Sequence, residues 1–301
     1  MFKEFSRLLL IMLCSAHLVY ATNSQRDKRL ATPYFNEDTI SKIDKYVVSI
    51  RSRTPFEYYG DNHFCAGTIV SELFVLTAAH CVMDKHSILY RARLLLIVAG
   101  TPNRLKFVRN QSINIPAKQT FVQENFTRFN TNNIALILLS IRLPTDDKLV
   151  GFIQLPSGPP TPGQMYEVVG WGRLYKGGIL ASKALFITVK LQNSTVCEEF
   201  IPKDWPGTLC AGNLDSDLDE HPCQGDSGDP LMSNGTIYGL VTHGLGCGKK
   251  HFASIYTDVY YNIDWINEIM LINCSNNLLT CWLPLYALLI KFCVMFNFVF
   301  W

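Results

Sequence analysis

The chain has no strong excess of charge of either sign. It carries 27 Lys and Arg against 25 Asp and Glu, a formal net charge of +2 at pH 7, so composition gives no indication of a nucleic-acid partner. It also has no Cys-x-x-Cys pair, no internal repeat, no low-complexity tract and no clustered acidic loop of the calcium-binding kind. No metal or other cofactor is therefore predicted. What the chain does have is 301 residues with 48% hydrophobic content, enough for one large domain or two small ones with a substantial core.

The first residues have the pattern of a secretory signal. Lys3 and Arg7 lie in a short basic region just before an apolar stretch from Leu8 to Val19, which is too short for a comfortable membrane span. Residues 19–21, Val-Tyr-Ala, resemble a small-residue cleavage site. We predict a signal peptide over 1–21 and secretion, with a membrane anchor as the alternative. Five Asn-x-Ser/Thr triplets agree with passage through the secretory pathway, at Asn110, Asn125, Asn193, Asn234 and Asn273.

Ten cysteines also favour an oxidising compartment. One falls in the predicted signal peptide and three fall in the C-terminal tail. The remaining six permit three disulfide bridges, with a zinc site as the competing interpretation. These six are Cys65, Cys81, Cys197, Cys210, Cys223 and Cys247.

Short apolar runs separated by Gly, Pro, Asn and Asp dominate the body of the chain, a pattern typical of an all-β sandwich or barrel. One exception is the segment Tyr260–Ile272, whose apolar spacing predicts a helix. The segment Pro156–Pro162 has the composition of a linker between two halves. The runs that indicate strands are Tyr46–Ile50, Leu73–Thr77, Leu94–Ala99, Ile134–Leu139, Tyr166–Val169, Leu185–Val189, Ile237–Val241 and Ser254–Thr257.

The composition changes abruptly at the end of the chain, in a tail over 273–301. Leu278–Trp301 is almost wholly apolar, with Lys291 its only charge, and it is long enough to span a bilayer. It can be a lipid-anchor signal, although the usual polar spacer is missing. A transmembrane helix is a second interpretation, and a segment foreign to the natural mature protein is a third.

Two motifs in the body offer a base and a nucleophile. Residues 76–81 read Leu-Thr-Ala-Ala-His-Cys and contain His80, while residues 223–230 read Cys-Gln-Gly-Asp-Ser-Gly-Asp-Pro and contain Ser227. A serine hydroxyl becomes a good nucleophile when a neighbouring base takes its proton, and imidazole titrates near neutral pH. Between the two motifs, residues 132–136 read Asn-Asn-Ile-Ala-Leu.

These motifs closely resemble the chymotrypsin/trypsin-like (S1) serine peptidases, over roughly residues 30–272. Supporting matches are Phe-Cys-Ala-Gly-Thr-Ile at 64–69, Gly-Trp-Gly at 170–172, Leu-Cys-Ala-Gly at 209–212 and Tyr-Thr-Asp-Val at 256–259. The resemblance implies two packed six-stranded antiparallel β-barrels with a C-terminal helix. It implies an oxyanion hole formed by the backbone N–H groups of Gly225 and Ser227. The disulfides that it implies are Cys65–Cys81, Cys197–Cys210 and Cys223–Cys247.

The chain departs from the family where a carboxylate should orient the histidine, because that position is Asn133. In the template triad the carboxylate holds the imidazole in the tautomer whose Nε2 can accept the serine proton, and its replacement by Asn costs roughly 10⁴ in turnover. An amide can instead donate to Nδ1. We therefore predict a serine protease homologue with a degraded triad.

Three further positions depart from the family: Leu30, Asp229 and His221. In the family, cleavage exposes a new N-terminus that pairs with the acid before the serine. Here that cleavage would follow the basic cluster 26–29, which would end a short propeptide over 22–29, and Leu30 would pair with Asp226; however, the new start lacks glycines and contains Pro33. A solvated charged stretch is the alternative interpretation of the basic cluster. Asp229 replaces the glycine expected before the proline of the serine motif.

The specificity pocket departs as well. Its floor is His221, where trypsin-like cleavage after Lys or Arg needs an aspartate, and its walls would come from Gly244 and Ser254. Any preference would be for small, apolar or acidic side chains.

Three functions are compatible with these residues. The first is a homologue of little or no turnover that binds a peptide, a protease or an inhibitor. The second is an active secreted serine endopeptidase of non-tryptic specificity, which would act through an acyl-enzyme. The third is a structural extracellular module whose groove holds no ligand.

Overall fold

The computed structural model describes residues 42–127, 131–144, 148–202, 205–217, 220–243, 247 and 249–275, and only the backbone of His243, Cys274 and Ser275. The predictions for the signal peptide, the propeptide, Leu30 and Gly244 fall outside these residues. So does the apolar tail from Leu278 onward. Within the described part of the chain, no helix has the length and apolar character needed to cross a membrane.

The first six strands form a closed antiparallel barrel in the order β1-β2-β3-β6-β5-β4. The strands are β1 (Val47–Ser52), β2 (His63–Ile69), β3 (Phe74–Thr77), β4 (Leu95–Ala99), β5 (Ile113–Val122) and β6 (Ala135–Leu139). In β3, Phe74 and Leu76 pack in one core cluster and Val75 in another. Because successive side chains of a strand point to opposite faces and both faces are buried here, the first three residues of β3 are all apolar.

The second six strands form an antiparallel sheet in the order β8-β7-β10-β11-β12-β9. The strands are β7 (Met165–Gly170), β8 (Leu185–Lys190), β9 (Thr208–Ala211), β10 (Pro230–Ser233), β11 (Thr236–His243) and β12 (Ser254–Asp258). A bridge between Leu191 and Ala211 joins the two edges of this sheet. On either side of the bridge, Gln192 N–H donates to the Cys210 carbonyl at 3.0 Å and Gly212 N–H to the Lys190 carbonyl at 2.9 Å. The sheet thus curls into a second barrel, and the two-barrel prediction is confirmed.

One core cluster joins the two barrels. It contains Phe74 and Leu136 of the first barrel, Trp171 and Leu240 of the second, and Ile266 of the C-terminal helix. Burial of these side chains is the main favourable contribution to docking the barrels. The segment Pro156–Pro162 forms no strand and lies between β6 and β7, as expected for a connection between the barrels.

Among the described residues, the strands are accompanied by the short α-helix α1 (Ser194–Cys197), the longer α2 (Ile263–Ser275) and 3-10 helices at Asp44–Tyr46, Ala79–Val82 and Ala92–Leu94. Helix α2 begins three residues later than its apolar pattern predicts. The Asp258 carboxylate accepts the Tyr261 N–H at 3.1 Å, and Asn262 N–H donates to the Val259 carbonyl. These bonds hold Tyr260–Asn262 in a turn before the helix begins.

All six cysteines of the body are paired, as Cys65–Cys81, Cys197–Cys210 and Cys223–Cys247. These are the pairs that the resemblance implied. The ligand atoms of Cys65, Cys81 and His80 lie within 4.8 Å of one another, but the two sulphurs are bonded to each other. A zinc-binding role for the six cysteines was therefore wrong, because a metal needs thiolates.

Candidate active site

His80 and Asn133 meet because two neighbouring strands bring them together. His80 lies in a 3-10 turn, Ala79–Val82, immediately after β3. Strand β6 runs antiparallel to β3, with Thr77 opposite Ala135, so the residues just before β6 face the turn that follows β3. The disulfide of Cys81 with Cys65 ties this turn to β2.

The side chain of Asn133 is fully buried and faces His80. Its Oδ1 accepts the backbone N–H of His80 at 3.2 Å, while Nδ2 lies 3.0 Å and Oδ1 3.2 Å from Nδ1 of the imidazole. The backbone of Asn133 is held from the other barrel, since Thr257 Oγ1 donates to its carbonyl at 3.1 Å.

The backbone N–H of His80 decides which way the amide points. A rotated amide would turn its NH₂ group toward that N–H, so that two donors would face each other. Oδ1 therefore accepts the backbone N–H, and Nδ2 is the amide atom nearest to the imidazole. A donor at Nδ1 requires Nδ1 to accept, which places the ring proton on Nε2.

Ser227 lies in the turn before β10 and is held between the two barrels. Its carbonyl accepts the Ala66 N–H of β2 at 2.8 Å, and the N–H of the next residue, Gly228, donates to the Val241 carbonyl of β11 at 2.8 Å. The Ser227 carbonyl also lies 3.6 Å from Sγ of Cys81, the neighbour of His80 in the chain. The structure thus brings together the turns that carry the base and the nucleophile.

The peptide that would supply the oxyanion hole is held from its far side. Arg173 N–H donates to the Gln224 carbonyl at 2.9 Å. In a trans peptide the N–H points away from the carbonyl, so the Gly225 N–H points in the opposite direction. Gly225 has a φ of +102°, a conformation that favours glycine.

A buried histidine that sequence analysis missed holds the next peptide. His63 Nε2 lies 3.0 Å from the Gly225 carbonyl, and Nδ1 lies 2.8 Å from Oγ of Ser49. Arg51 Nε donates to the same Oγ at 2.8 Å. The Gly225 carbonyl can only accept, so Nε2 carries the proton of the neutral ring and donates to it. Nδ1 then accepts the proton of the Ser49 hydroxyl, whose oxygen accepts from Arg51.

The imidazole of His63 is neutral at neutral pH. Burial, and then the guanidinium of Arg104, lower its pKa from 6.5 to about 3. Arg104 is itself buried and donates to the carbonyls of Gly60 at 2.6 Å, Ala181 at 2.7 Å and Leu180 at 3.3 Å. The signal for this network was present in β1, where Ser49 and Arg51 place polar groups two residues apart in an apolar strand.

We expect Ser49→Ala to lower the free energy of unfolding by about 1–3 kcal/mol, because it leaves Nε of Arg51 and Nδ1 of His63 buried without a partner. Denaturant titration measures this. Ser52→Ala on the same strand is the matched control. The Ser52 hydroxyl donates to the Thr54 carbonyl at the surface and accepts from Nδ2 of Asn62 at 3.2 Å, but Nδ2 of Asn62 keeps the Ser52 carbonyl as a partner when the hydroxyl is removed. Equal effects of the two variants would contradict a structural role for the Ser49 bridge.

The predicted specificity residues lie partly within the described structure. His221 and Ser254 are both buried, and Nδ1 of His221 lies 3.2 Å from Oγ of Ser254. The two predicted pocket positions on these different segments are therefore in contact. No aspartate occupies the predicted floor position, where the structure has an imidazole next to a hydroxyl.

Asp226 ties the serine loop to the second barrel. Its carboxylate is fully buried and accepts the Gly172 N–H at 2.6 Å and the Cys223 N–H at 2.8 Å. Its predicted partner, Leu30, lies outside the described residues. Asp229 is equally buried, three residues along the same loop.

Comparisons with known proteins agree with this geometry. The family model described as Trypsin matches residues 36–266. Thrombin-like enzyme 2 of Trimeresurus albolabris is 31% identical over 233 residues, covering 75% of this chain and 83% of that protein. Trypsin eta of Drosophila melanogaster is 30% identical over 253 residues, covering 82% and 91%. Snake venom serine protease 2C of Craspedocephalus gramineus is 32% identical over 234 residues, covering 74% and 83%.

Proposed function

The chain belongs to the trypsin family of serine peptidases, and we propose that it is a secreted member of low turnover that acts mainly by binding. Its ligand would be a peptide or protein segment, including the reactive segment of a protease or an inhibitor. His80, Ser227 and the Gly225 peptide remain in place to contact such a ligand. The predicted signal peptide and the three disulfides support an extracellular site of action.

One observation carries the proposal: the amide of Asn133 turns its NH₂ group toward the imidazole of His80. The resulting proton on Nε2 points a donor at the hydroxyl that the base should deprotonate. Ser227 can then attack a carbonyl only while His80 is in its rarer tautomer, with the ring proton on Nδ1. The corresponding loss in the template triad is about 10⁴ in turnover, or about 5 kcal/mol of barrier.

The specificity pocket argues against trypsin-like cleavage. A Lys or Arg side chain needs a negative charge at the floor, and His221 with Ser254 offers none. An acidic, small or apolar side chain suits this floor better, because imidazole and hydroxyl groups can donate to a carboxylate. This preference would hold whether the ligand is cleaved or only bound.

A second candidate function is an active endopeptidase of non-tryptic specificity. The observation that favours it is the constrained oxyanion-hole peptide, held by Arg173 at the Gln224 carbonyl and by His63 at the Gly225 carbonyl. A preorganised oxyanion hole sustains part of the rate enhancement when the triad is damaged.

Active-site labelling with a fluorophosphonate probe tests the proposal. We expect slow labelling that disappears in Ser227→Ala, because the retained hydroxyl reacts only through the minor tautomer. We also expect no measurable hydrolysis of a peptide library, while immobilised peptides with acidic side chains retain the protein. Rapid labelling with efficient peptide hydrolysis would instead establish the endopeptidase, and Ser227→Ala separates that outcome from nonspecific modification.

A further inference from the structure

Asp229 is a buried acid for which the described part of the chain provides no hydrogen-bond donor. It precedes Pro230, the first residue of β10, and is fully buried. Neither of its carboxyl oxygens accepts a hydrogen bond from any donor of the described residues. An ionised carboxylate in such a place costs several kcal/mol or more, so its protonation state has to be explained.

The nearest acid is Asp226, and the two carboxyl groups share one small space against Gly170. A Cβ on Gly170 would collide with Oδ2 of Asp229 and would lie 2.5 Å from Oδ1 of Asp226. Two carboxylates this close do not both ionise readily, and one of them retains its proton. Asp226 accepts two backbone N–H groups, which favour its charged form, so the proton belongs to Asp229.

The charged and titratable groups described around this pair strengthen that assignment. Burial, followed by the charge of Asp226 and a hydrogen bond to it, raises the pKa of Asp229 well above 3.8. Tyr256 of β12 is also buried there, and burial and Asp226 raise the pKa of its phenol. A neutral phenol adds no positive charge that would favour a second carboxylate.

We propose that Asp229 is a positioning residue, a neutral carboxylic acid whose O–H donates to Asp226 and so holds the turn that presents Gly225. That turn depends on Asp226 at three points. Its N–H donates to the Cys223 carbonyl at 2.9 Å, its carboxylate accepts the Cys223 N–H at 2.8 Å, and its carbonyl accepts the Asp229 N–H at 3.0 Å.

This role has a consequence for activation. In the family, the carboxylate at the position of Asp226 is paired with an N-terminal ammonium that cleavage releases. A carboxylic acid beside it supplies a donor from within the folded loop, so the oxyanion hole forms without cleavage at Arg29. The inference rests on the proposed function, in which Ser227 and its oxyanion hole are retained.

The first test compares fluorophosphonate labelling rates of uncleavable chains. Lys28 and Arg29 are replaced by glutamine, and Asn133 by aspartate to raise the signal. Asp229→Asn keeps a donor toward Asp226, whereas Asp229→Gly restores the family residue and removes the donor. We expect labelling with Asp229 and with Asp229→Asn, and labelling at least about tenfold slower with Asp229→Gly. Equal labelling with Asp229→Gly, or loss with Asp229→Asn as well, would overturn the inference.

The second test needs no catalysis. The folded-state pKa of Asp229 lies above its unfolded value, so the folded chain holds one more proton between those two pKa values. The free energy of unfolding therefore falls as pH rises through that window, and Asp229→Asn lacks this fall. We expect the parent to lose stability relative to Asp229→Asn as the pH rises above 3.8, the ordinary pKa of an aspartic acid. Parallel profiles would overturn the inference. If no chain labels but the profiles diverge, the proposed function fails while Asp229 is protonated as inferred.

Discussion

Replacing Asn133 with aspartate is expected to raise the turnover of peptide substrates about 10⁴-fold, by up to about 5 kcal/mol of barrier. The carboxylate would accept both the backbone N–H and the Nδ1–H of His80. The amide now accepts the backbone N–H but donates to Nδ1. The proton would then leave Nε2, and His80 could accept the proton of Ser227. Measurement of kcat and kcat/KM with peptides that carry small, apolar or acidic side chains gives the size of the effect.

Asn132→Asp is the matched control for this prediction. It makes the same chemical change one residue earlier, at a side chain whose NH₂ group bonds the Asn125 carbonyl and not His80. We expect no comparable gain from it. If Asn133→Asp also leaves turnover unchanged, the missing carboxylate does not limit the rate, and the pocket or the serine loop does.

Replacing Gly225 with alanine is expected to slow the labelling of Ser227 by about 10²–10³-fold. Gly225 has a φ of +102°, and a Cβ there would lie 2.7 Å from Cδ2 of Leu180 and 3.1 Å from Cα of Gly172. The peptide must move to relieve these contacts, and its N–H then leaves the position that an oxyanion needs. Labelling kinetics in the Asn133→Asp background measure the loss.

The β10–β11 turn supplies a control with the same backbone demand. Gly235 has a φ of +73°, and among the described residues an added Cβ would have a single neighbour within 4 Å, the Tyr46 hydroxyl at 3.6 Å. Gly235→Ala therefore carries the strain of a positive φ without touching the serine loop. Equal slowing by the two substitutions would show that general destabilisation, and not the oxyanion hole, causes the effect.

Four of the described strands lie outside the predicted apolar runs, and they were missed for the same physical reason. Strands β2, β5, β9 and β10 contain residues that are small or polar, or prolines that have no backbone N–H to donate. Examples are Gly67 in β2, Pro116 in β5 and Pro230 in β10. Their pairing is stabilised by the strands beside them, as when Leu231 and Met232 of β10 pair with β7. Local composition carries little of that information.

The candidate site divides in the same way. The base, the nucleophile and the amide between them could be identified from short continuous motifs, because their chemistry belongs to the residues themselves. The role of His63 could not, although it stands one residue before a recognised motif. Its function depends on Ser49 and Arg51 on one side and on Gly225, 162 residues away, on the other.

The sequence by itself determined the family, the six paired cysteines and the presence of an amide where an acid was expected. The tertiary structure decided how that amide points, because the choice depends on a backbone N–H 53 residues away in the chain. It also placed Asp229 beside Asp226 in a space closed by Gly170 of β7. Protonation and orientation are set by the groups around an atom, and the folded chain decides which groups those are: a turn 53 residues away for the amide, and the confined space against Gly170 for the two aspartates.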